Sequence, residues 1–425
     1  MMILNSNWSR FLSLYCSSAV FLFLALTLAI RGGFSYGIMM LWLGGLAMFF
    51  VNTRPSLDSS DYLILGAFFF YFAIHYLLNL YHHDILREYD LPLRFMLAIP
   101  VLFFLRKNPP SDSAFWGGVA IGTLSGGLLM TWQFVFLTKF GEFGRMSQNL
   151  GNLAVVMSLI CFSGWRWALS REKRIAWLFF LFLAAVSGLV GSFCTGTRGA
   201  WLVLPGALFI LLVDSALYFR WSATKIILLA SSGLVLLLFV ASHPIVKIRL
   251  DAAVKETKLI FASEYDSGVK IADTSLGQRW LMWSNAIHMI KIKPWFGWGK
   301  TGYLDYKNQR ILNGEVLPQI AKYTDAHDDY IDALAKRGVI GLLSLMALFI
   351  TPLVLFFRRS TRLSSEKRSY SLAGILMIAG YMTSGLTCTF MTINMDIMFY
   401  SVMILVLWNF MADSKLETDP CSIGT

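Results

Sequence analysis

Charge is scarce in this chain: only 14% of its 425 residues are Asp, Glu, Lys or Arg, against 56% hydrophobic residues. That balance excludes a soluble globular protein for most of the length and places the chain among all-α polytopic membrane proteins. Cysteine is sparse as well. Five cysteines without zinc-type spacing make neither a disulfide framework nor a metal site. Cys194 and Cys388 fall near one face, where a bridge between them is open; Cys16, Cys161 and Cys421 read as ordinary membrane or tail residues. There is no internal repeat, low-complexity tract or soluble terminal domain, so the expectation is one membrane domain plus whatever interrupts it.

What is present is a series of apolar runs near the roughly 20 residues needed to cross a bilayer as a helix. About twelve satisfy that length. They lie near Phe11–Ile30, Phe34–Val51, Asp61–Tyr81, Pro92–Leu105, Ala114–Leu137, Gly151–Trp165, Ile175–Gly191, Gly199–Tyr218, Thr224–Ser242, Gly338–Phe357, Ser371–Cys388 and Thr392–Met411. The first reads as an uncleaved signal anchor, because its apolar run is too long for a removable peptide and no small-residue cleavage site follows. The fourth is short and carries Pro100, which points to a kinked or incomplete span.

Lysine and arginine set the orientation. With the N-terminus inside, the cytoplasmic connections hold Arg10, Arg54, Arg106, Lys107, Arg166, Arg171, Arg220, Arg358 and Arg359 among others. The short outer loops hold far fewer, Arg31, Arg87, Lys139, Arg145 and Arg198, with Arg94 at a helix edge. Both termini are therefore expected in the cytoplasm. Much of the net charge of +11 is then topological, which argues against a nucleic-acid partner. The outer arginines run against the orientation rule and invite a reason such as an anionic ligand.

One interruption stands out. Residues 1–242 carry the first nine runs, 243–337 form a polar outer loop domain, 338–411 carry the last three runs, and 412–425 form a short polar cytoplasmic tail. Within the loop, Val246–Ala262 reads as an amphipathic helix on the membrane surface and Glu264–Asp273 as a connection. Ser275–Lys293 reads as a helix opened by a capping box of Ser275 and Gln278, with Arg279, Trp283 and Ile287 on one face. Pro294 stops it, and the glycines of Trp295–Gly302 demand a turn. The pattern predicts a further helix from Asp325 to Arg337, ended by Gly338 before the next span.

Several residues could carry chemistry. A neutral imidazole at His327 can accept a proton from a hydroxyl, oriented by Asp325, Asp328 or Asp329, and it would serve equally as a helix-start or surface histidine. Arg198 sits where one run ends and the next begins, so a helix N-terminus and a guanidinium would meet an anion such as phosphate there. The same arginine would also suit anchoring to acidic lipid headgroups. Arg145, before Asn149 and Asn152, has both readings too. Arg279 is a second phosphate ligand or a partner for the Trp283 ring. His75, His243 and His288 read as structural, and the His82, His83, Asp84 cluster lacks metal-ligand spacing. Asp396, a carboxylate within an apolar run, is a functional candidate by default, and its place near the outer end would equally leave it simply wet.

Arg198 followed by Leu202, and His327 followed by Gly338, resemble the paired signature of the O-antigen ligase family, in a wider group with Wzy-type polymerases and protein O-oligosaccharyltransferases. Arg279, Trp283 and Ala286 leading into Pro294–Gly299, and Ala326–Tyr330 leading to Gly338–Gly341, resemble that group's marked loop stretches. The likeness runs from Arg145 to Gly341. Asn149–Leu153 departs from the relatives' Gly-Asn-Pro-Asn stretch by lacking the proline, which leaves Asn152 without an assigned role.

The resemblance implies a GT-C-like membrane glycosyltransferase without metal or other cofactor. Its donor would be O-antigen on undecaprenyl pyrophosphate and its acceptor lipid A-core oligosaccharide, at the periplasmic face of the bacterial inner membrane. Arg198, Arg279 and Arg145 would then face pyrophosphate, His327 would act as base, Trp283, Asp328 and Tyr330 would line the substrate, and Leu202 and Gly338 would be structural. A polymerase or protein O-oligosaccharyltransferase uses the same donor and differs in acceptor. A lipid-linked oligosaccharide transporter is the reading from another class; it would place charges along a central cavity, whereas here they gather at one face.

Overall fold

The computed structural model describes residues 2–50, 55–137, 147–220 and 274–412, with residues 222, 224, 225, 231 and 254. Among them every regular element is helical. The order is α1 (Met2–Thr27), α2 (Phe34–Ala47), α3 (Ser59–Tyr81), α4 (Arg87–Lys107), α5 (Asp112–Phe136), α6 (Ser147–Ser163), α7 (Trp165–Leu169) and α8 (Arg174–Thr195). There follow a 3-10 turn at Arg198–Leu202, α9 (Val203–Phe219), α10 (Ser275–Ile292), α11 (Gly299–Leu312), α12 (Asp329–Ser360), α13 (Ser365–Ser384) and α14 (Asn394–Phe410).

Seven of the described helices are long and apolar enough to cross a membrane, which fits the polytopic reading. Each apolar run read from the sequence falls on a helix except the ninth, Thr224–Ser242, which lies almost wholly outside the described residues, as does the Val246–Ala262 segment. The fourth run, short in apolar length, lies on a longer helix that is not among those seven. α4 continues through Pro92 and Pro100 to Lys107, and α2 packs so closely on it that a Cβ at Gly45 would stand 2.7 Å from the Pro100 carbonyl carbon.

Local chemistry explains the helix starts. Asp58 and Asp61 form a capping box on α3, and the hydroxyls of Ser111, Thr274 and Ser364 cap α5, α10 and α13. The cap of α10 is therefore Thr274, one residue earlier than the Ser275 box read from the sequence, and the Gln278 side chain is used elsewhere. In the membrane, small residues let backbones approach. A Cβ at Gly191 of α8 would lie 2.7 Å from Gly127 Cα of α5. α6 and α14 are buried along most of their length, while Phe179, Phe182 and Phe209 on α8 and α9 turn outward, as a lipid-facing surface requires.

Polar locks fasten the bundle end remote from the loop domain. Asp61, 1% exposed, accepts from Arg106 and from Trp408 Nε1 at 2.6 Å. Buried Arg166 grips both carboxylate oxygens of Asp214 at 2.8 Å, and Arg368 Nε lies 3.0 Å from the same carboxylate. Asp61 and Asp214 are thus each paired with arginine, as their desolvation demands.

At the opposite end the loop domain docks on the α3–α4 turn. The Asp84 carboxylate accepts from Lys300 N at 3.1 Å and Thr301 N at 3.0 Å, capping α11, and His82 Nε2 lies 2.8 Å from Phe296 O. These contacts give His82 and Asp84 partners within the protein. No group of three His, Cys, Asp or Glu suited to a metal occurs among the described residues.

Candidate active site

α12 holds the loop domain and the membrane domain on one helix, and Gly338 breaks its regularity with φ 67° and ψ −168°. A break at this residue frees the amide and carbonyl groups of the adjoining turns, which then need new partners. The Pro294–Trp298 turn supplies them. Val339 N donates to Pro294 O at 2.8 Å, Ile340 N to Trp295 O at 3.4 Å, and Trp298 N to Ala335 O at 3.1 Å. The fit leaves no room for a side chain, since a Cβ at Gly338 would lie 2.2 Å from the Trp295 carbonyl. The two marked loop stretches are therefore one backbone splice.

His327 lies just ahead of α12 and not within it, which corrects the helix read from Asp325. Its φ of 51° is left-handed, and Asp328 next to it is extended, its carboxylate accepting from Tyr330 N at 2.9 Å and Ile331 N at 2.8 Å. The aspartate cap starts the helix at Asp329 and leaves His327 on a bent loop. Asp325 closes that bend. Its Oδ1 accepts from His327 N at 2.9 Å and lies 2.5 Å from Nδ1. Burial of Asp325 disfavours its charge, but the bonds from His327 and the nearby Lys336 ammonium outweigh it and hold the carboxyl below the usual carboxylate range. In the neutral imidazole, a carboxylate at Nδ1 favours the proton on that nitrogen and leaves Nε2 to accept.

Of the three aspartates that could orient the histidine, only Asp325 does so. Asp328 is spent on the helix cap. Asp329, buried, accepts from Phe390 N at 3.1 Å and Met391 N at 3.2 Å, while its own N–H donates to Gly385 O at 2.8 Å. Tyr330 adds its hydroxyl to Met382 O at 2.6 Å. The histidine loop is thereby bolted to the connection between α13 and α14.

That connection also receives the Arg198 turn. Gly196 ends α8 in the left-handed conformation, and the backbone of Arg198 opens the 3-10 turn that leads into α9, with Leu202 exposed at its end. A Cβ at Gly199 would stand 2.0 Å from Thr387 Oγ1. The start of α6 arrives at the same place, where Asn149 Nδ2 donates to Asp396 Oδ2 at 3.3 Å and Cys388 Sγ donates to Asn149 Oδ1 at 3.4 Å. Arg145, shortly before α6, lies outside the described residues.

Asp396 is 0% exposed, so it is not wet as its position near the end of a span suggested. Cys194 and Cys388 are both free, so the bridge left open by the sequence is not formed. The stretch Gly385–Thr392, which gathers the Arg198 turn, the α6 start and the histidine loop, was not recognised from the sequence. Its only signal was a cluster of glycine and threonine between two apolar runs.

α10 reaches the histidine loop from the other side. Trp283 Nε1 donates to Ala326 O at 3.0 Å, and Ala326 N donates to Asp332 Oδ1 at 3.0 Å. Half-buried Arg279 lies one turn before Trp283 on α10, and its neighbour Gln278 accepts from the Tyr323 hydroxyl. Trp283, Asp328 and Tyr330 all use polar atoms on partners inside the protein.

Comparison with known proteins bears out the resemblance. A family model described as O-antigen ligase matches residues 183–346, the stretch from α8 through the Arg198 turn and the histidine loop into α12. An uncharacterized protein of Haemophilus influenzae (strain ATCC 51907 / DSM 11121 / KW20 / Rd) is 26% identical over 394 residues, covering 90% of this chain and 94% of that protein.

Proposed function

We propose, from the O-antigen ligase family domain that this chain carries at residues 183–346, that the protein transfers preassembled O-antigen from undecaprenyl pyrophosphate to lipid A-core oligosaccharide. It does so at the periplasmic face of the inner membrane, with both termini in the cytoplasm. One observation carries the reading: the Arg198 turn and the His327 loop are both packed on Gly385–Thr387, through Gly199 against Thr387 and Asp329 on Gly385 O. A base and an arginine-bearing helix start then share one platform at the end of the bundle where the loop domain docks.

The chemistry follows from those parts. A hydroxyl of the acceptor sugar attacks the anomeric carbon; His327 Nε2 takes its proton while the bond to the pyrophosphate oxygen breaks. Negative charge grows on the leaving undecaprenyl pyrophosphate, and arginines aimed at it lower the transition state more than the ground state. Arg198 and Arg279 take this role, with Arg145 assisting. Asp325 holds the Nδ1 proton and stabilises the imidazolium that forms. Trp283, Asp328 and Tyr330 line the substrate by way of the backbone they hold. Guanidinium groups replace the divalent cation used elsewhere for pyrophosphate chemistry, so no cofactor is assigned. A single displacement inverts the anomeric centre; retained configuration or a covalent glycosyl-enzyme would refute that step.

The test is transfer by the purified protein in liposomes, with lipid-linked O-antigen, lipid A-core and EDTA, comparing wild type with His327→Ala. Transfer that survives EDTA and vanishes in the folded variant supports the reading. Extension of one lipid-linked glycan by another would assign a polymerase, transfer to protein a protein O-oligosaccharyltransferase, and donor movement without release of undecaprenyl pyrophosphate a transporter.

A further inference from the structure

Two residues with no part in that chemistry are committed to the histidine loop. Lys307 on α11 is 2% exposed, and its ammonium donates to Ala321 O at 3.1 Å, to Ile320 O at 3.4 Å and to Tyr323 O. An ammonium has three N–H donors, and these carbonyls use all of them. Burying such a charge costs desolvation that an apolar contact would avoid, so its presence calls for a specific return. The return is the convergence of carbonyls from Ile320 to Tyr323, which backbone dipoles would not adopt around an empty centre.

Tyr323 is what that bend presents. Its ring meets the His327 imidazole edge-on, with centroids 5.0 Å apart and planes at 73°, and its hydroxyl donates to Gln278 Oε1, beside Arg279. Asp325 grips one side of the imidazole, and Tyr323 borders another. We propose that Tyr323, held in place by Lys307, is a positioning residue that fixes the His327 ring and ties it to the Arg279-bearing turn of α10. The proposal rests on His327 being the base. Neither Tyr323 nor Lys307 touches the reacting atoms; they act by keeping base and arginine in one relative placement, where a shift of about 1 Å costs on the order of 10²-fold in rate.

The experiment measures kcat and KM for both substrates in the full-length protein in liposomes, with lipid-linked O-antigen and lipid A-core. Tyr323→Leu is expected to lower kcat by about 10²-fold with KM unchanged. Tyr323→Phe, which keeps the ring against His327 and loses the bond to Gln278, is expected to fall between wild type and Tyr323→Leu, its deficit measuring the tie to α10. Lys307→Ala is expected to lose kcat and to regain part of it with n-propylammonium, which supplies the missing N–H donors, but not with tetramethylammonium, which has none. Should Lys307→Ala fail to fold, the half-buried Tyr323 pair still decides. Wild-type kcat in Tyr323→Leu, or a raised KM with kcat intact, overturns the proposal. If His327→Ala loses transfer while Tyr323→Leu does not, the positioning role alone is wrong; if His327→Ala also keeps its rate, the base assignment falls and the inference with it.

Discussion

Gly338→Ala probes the junction on which the whole loop domain hangs. At φ 67° and ψ −168° a residue with a Cβ is strained by about 1–3 kcal/mol. The new Cβ would also stand 2.2 Å from Trp295 C and O, so the Pro294–Trp298 turn must withdraw. Withdrawal breaks the bonds of Val339 N to Pro294 O, Ile340 N to Trp295 O and Trp298 N to Ala335 O, at about 1 kcal/mol apiece. The sum is roughly 4–6 kcal/mol. Gly302→Ala is the control, because its Cβ would meet only Trp298 Cβ at 3.8 Å. Equilibrium unfolding in mixed micelles, read by tryptophan emission, should separate the two variants by that margin, and glycan transfer should be lost in the first only. A Gly338→Ala protein within about 1 kcal/mol of Gly302→Ala would refute the splice as the source of stability.

Other outcomes follow from the same geometry. His327→Ala, folded by its unfolding curve, should lose transfer by about 10²–10⁴-fold, the usual worth of a general base; near-normal kcat would remove the assignment. Asp325 is held below the usual carboxylate range, so its contribution to stability is full at neutral pH and is lost as pH falls below about 4 toward the folded value. Unfolding measured against pH should therefore fall more steeply on acidification in wild type than in Asp325→Asn, and parallel curves would contradict the pairing. Asp84→Ala removes the acceptor for Lys300 N and Thr301 N and should cost about 1 kcal/mol while speeding amide exchange in α11; unchanged exchange there would show that the α3–α4 turn does not hold the loop domain.

Much of this was readable along the chain. Apolar run length reports the cost of exposing polar backbone to lipid, a local property, so α3, α5, α8 and α9 were found within a few residues of their ends. Residue type at Arg198, Arg279 and His327 was enough to nominate a site, and the glycines at 297, 299 and 338 announced backbone that side chains could not follow. What was misread depended on a partner distant in sequence or on competition between local choices. The helix at Asp325 started late because Asp328 caps and Asp325 turns back to His327, two roles for identical side chains that only the backbone path separates. The environment of Asp396 is set by Asn149, the accommodation of Gly199 by Thr387, and the anchoring of Asp329 by Phe390 and Met391, none of which hydropathy can relate.

By itself the sequence determined that the chain is a helical membrane protein, where most spans lie, and which side chains are chemically capable of binding an anion or taking a proton, because each follows from composition or from neighbours a few positions away. Only the tertiary structure decided that Asp325 orients His327, that Pro294–Trp298 completes the hydrogen bonding at Gly338, and that Gly385–Thr392 gathers the arginine turn and the histidine loop. The last two are contacts between segments remote in the chain, whose partners are selected by packing in three dimensions, and Asp325 meets His327 two residues on because the backbone there bends into the left-handed conformation.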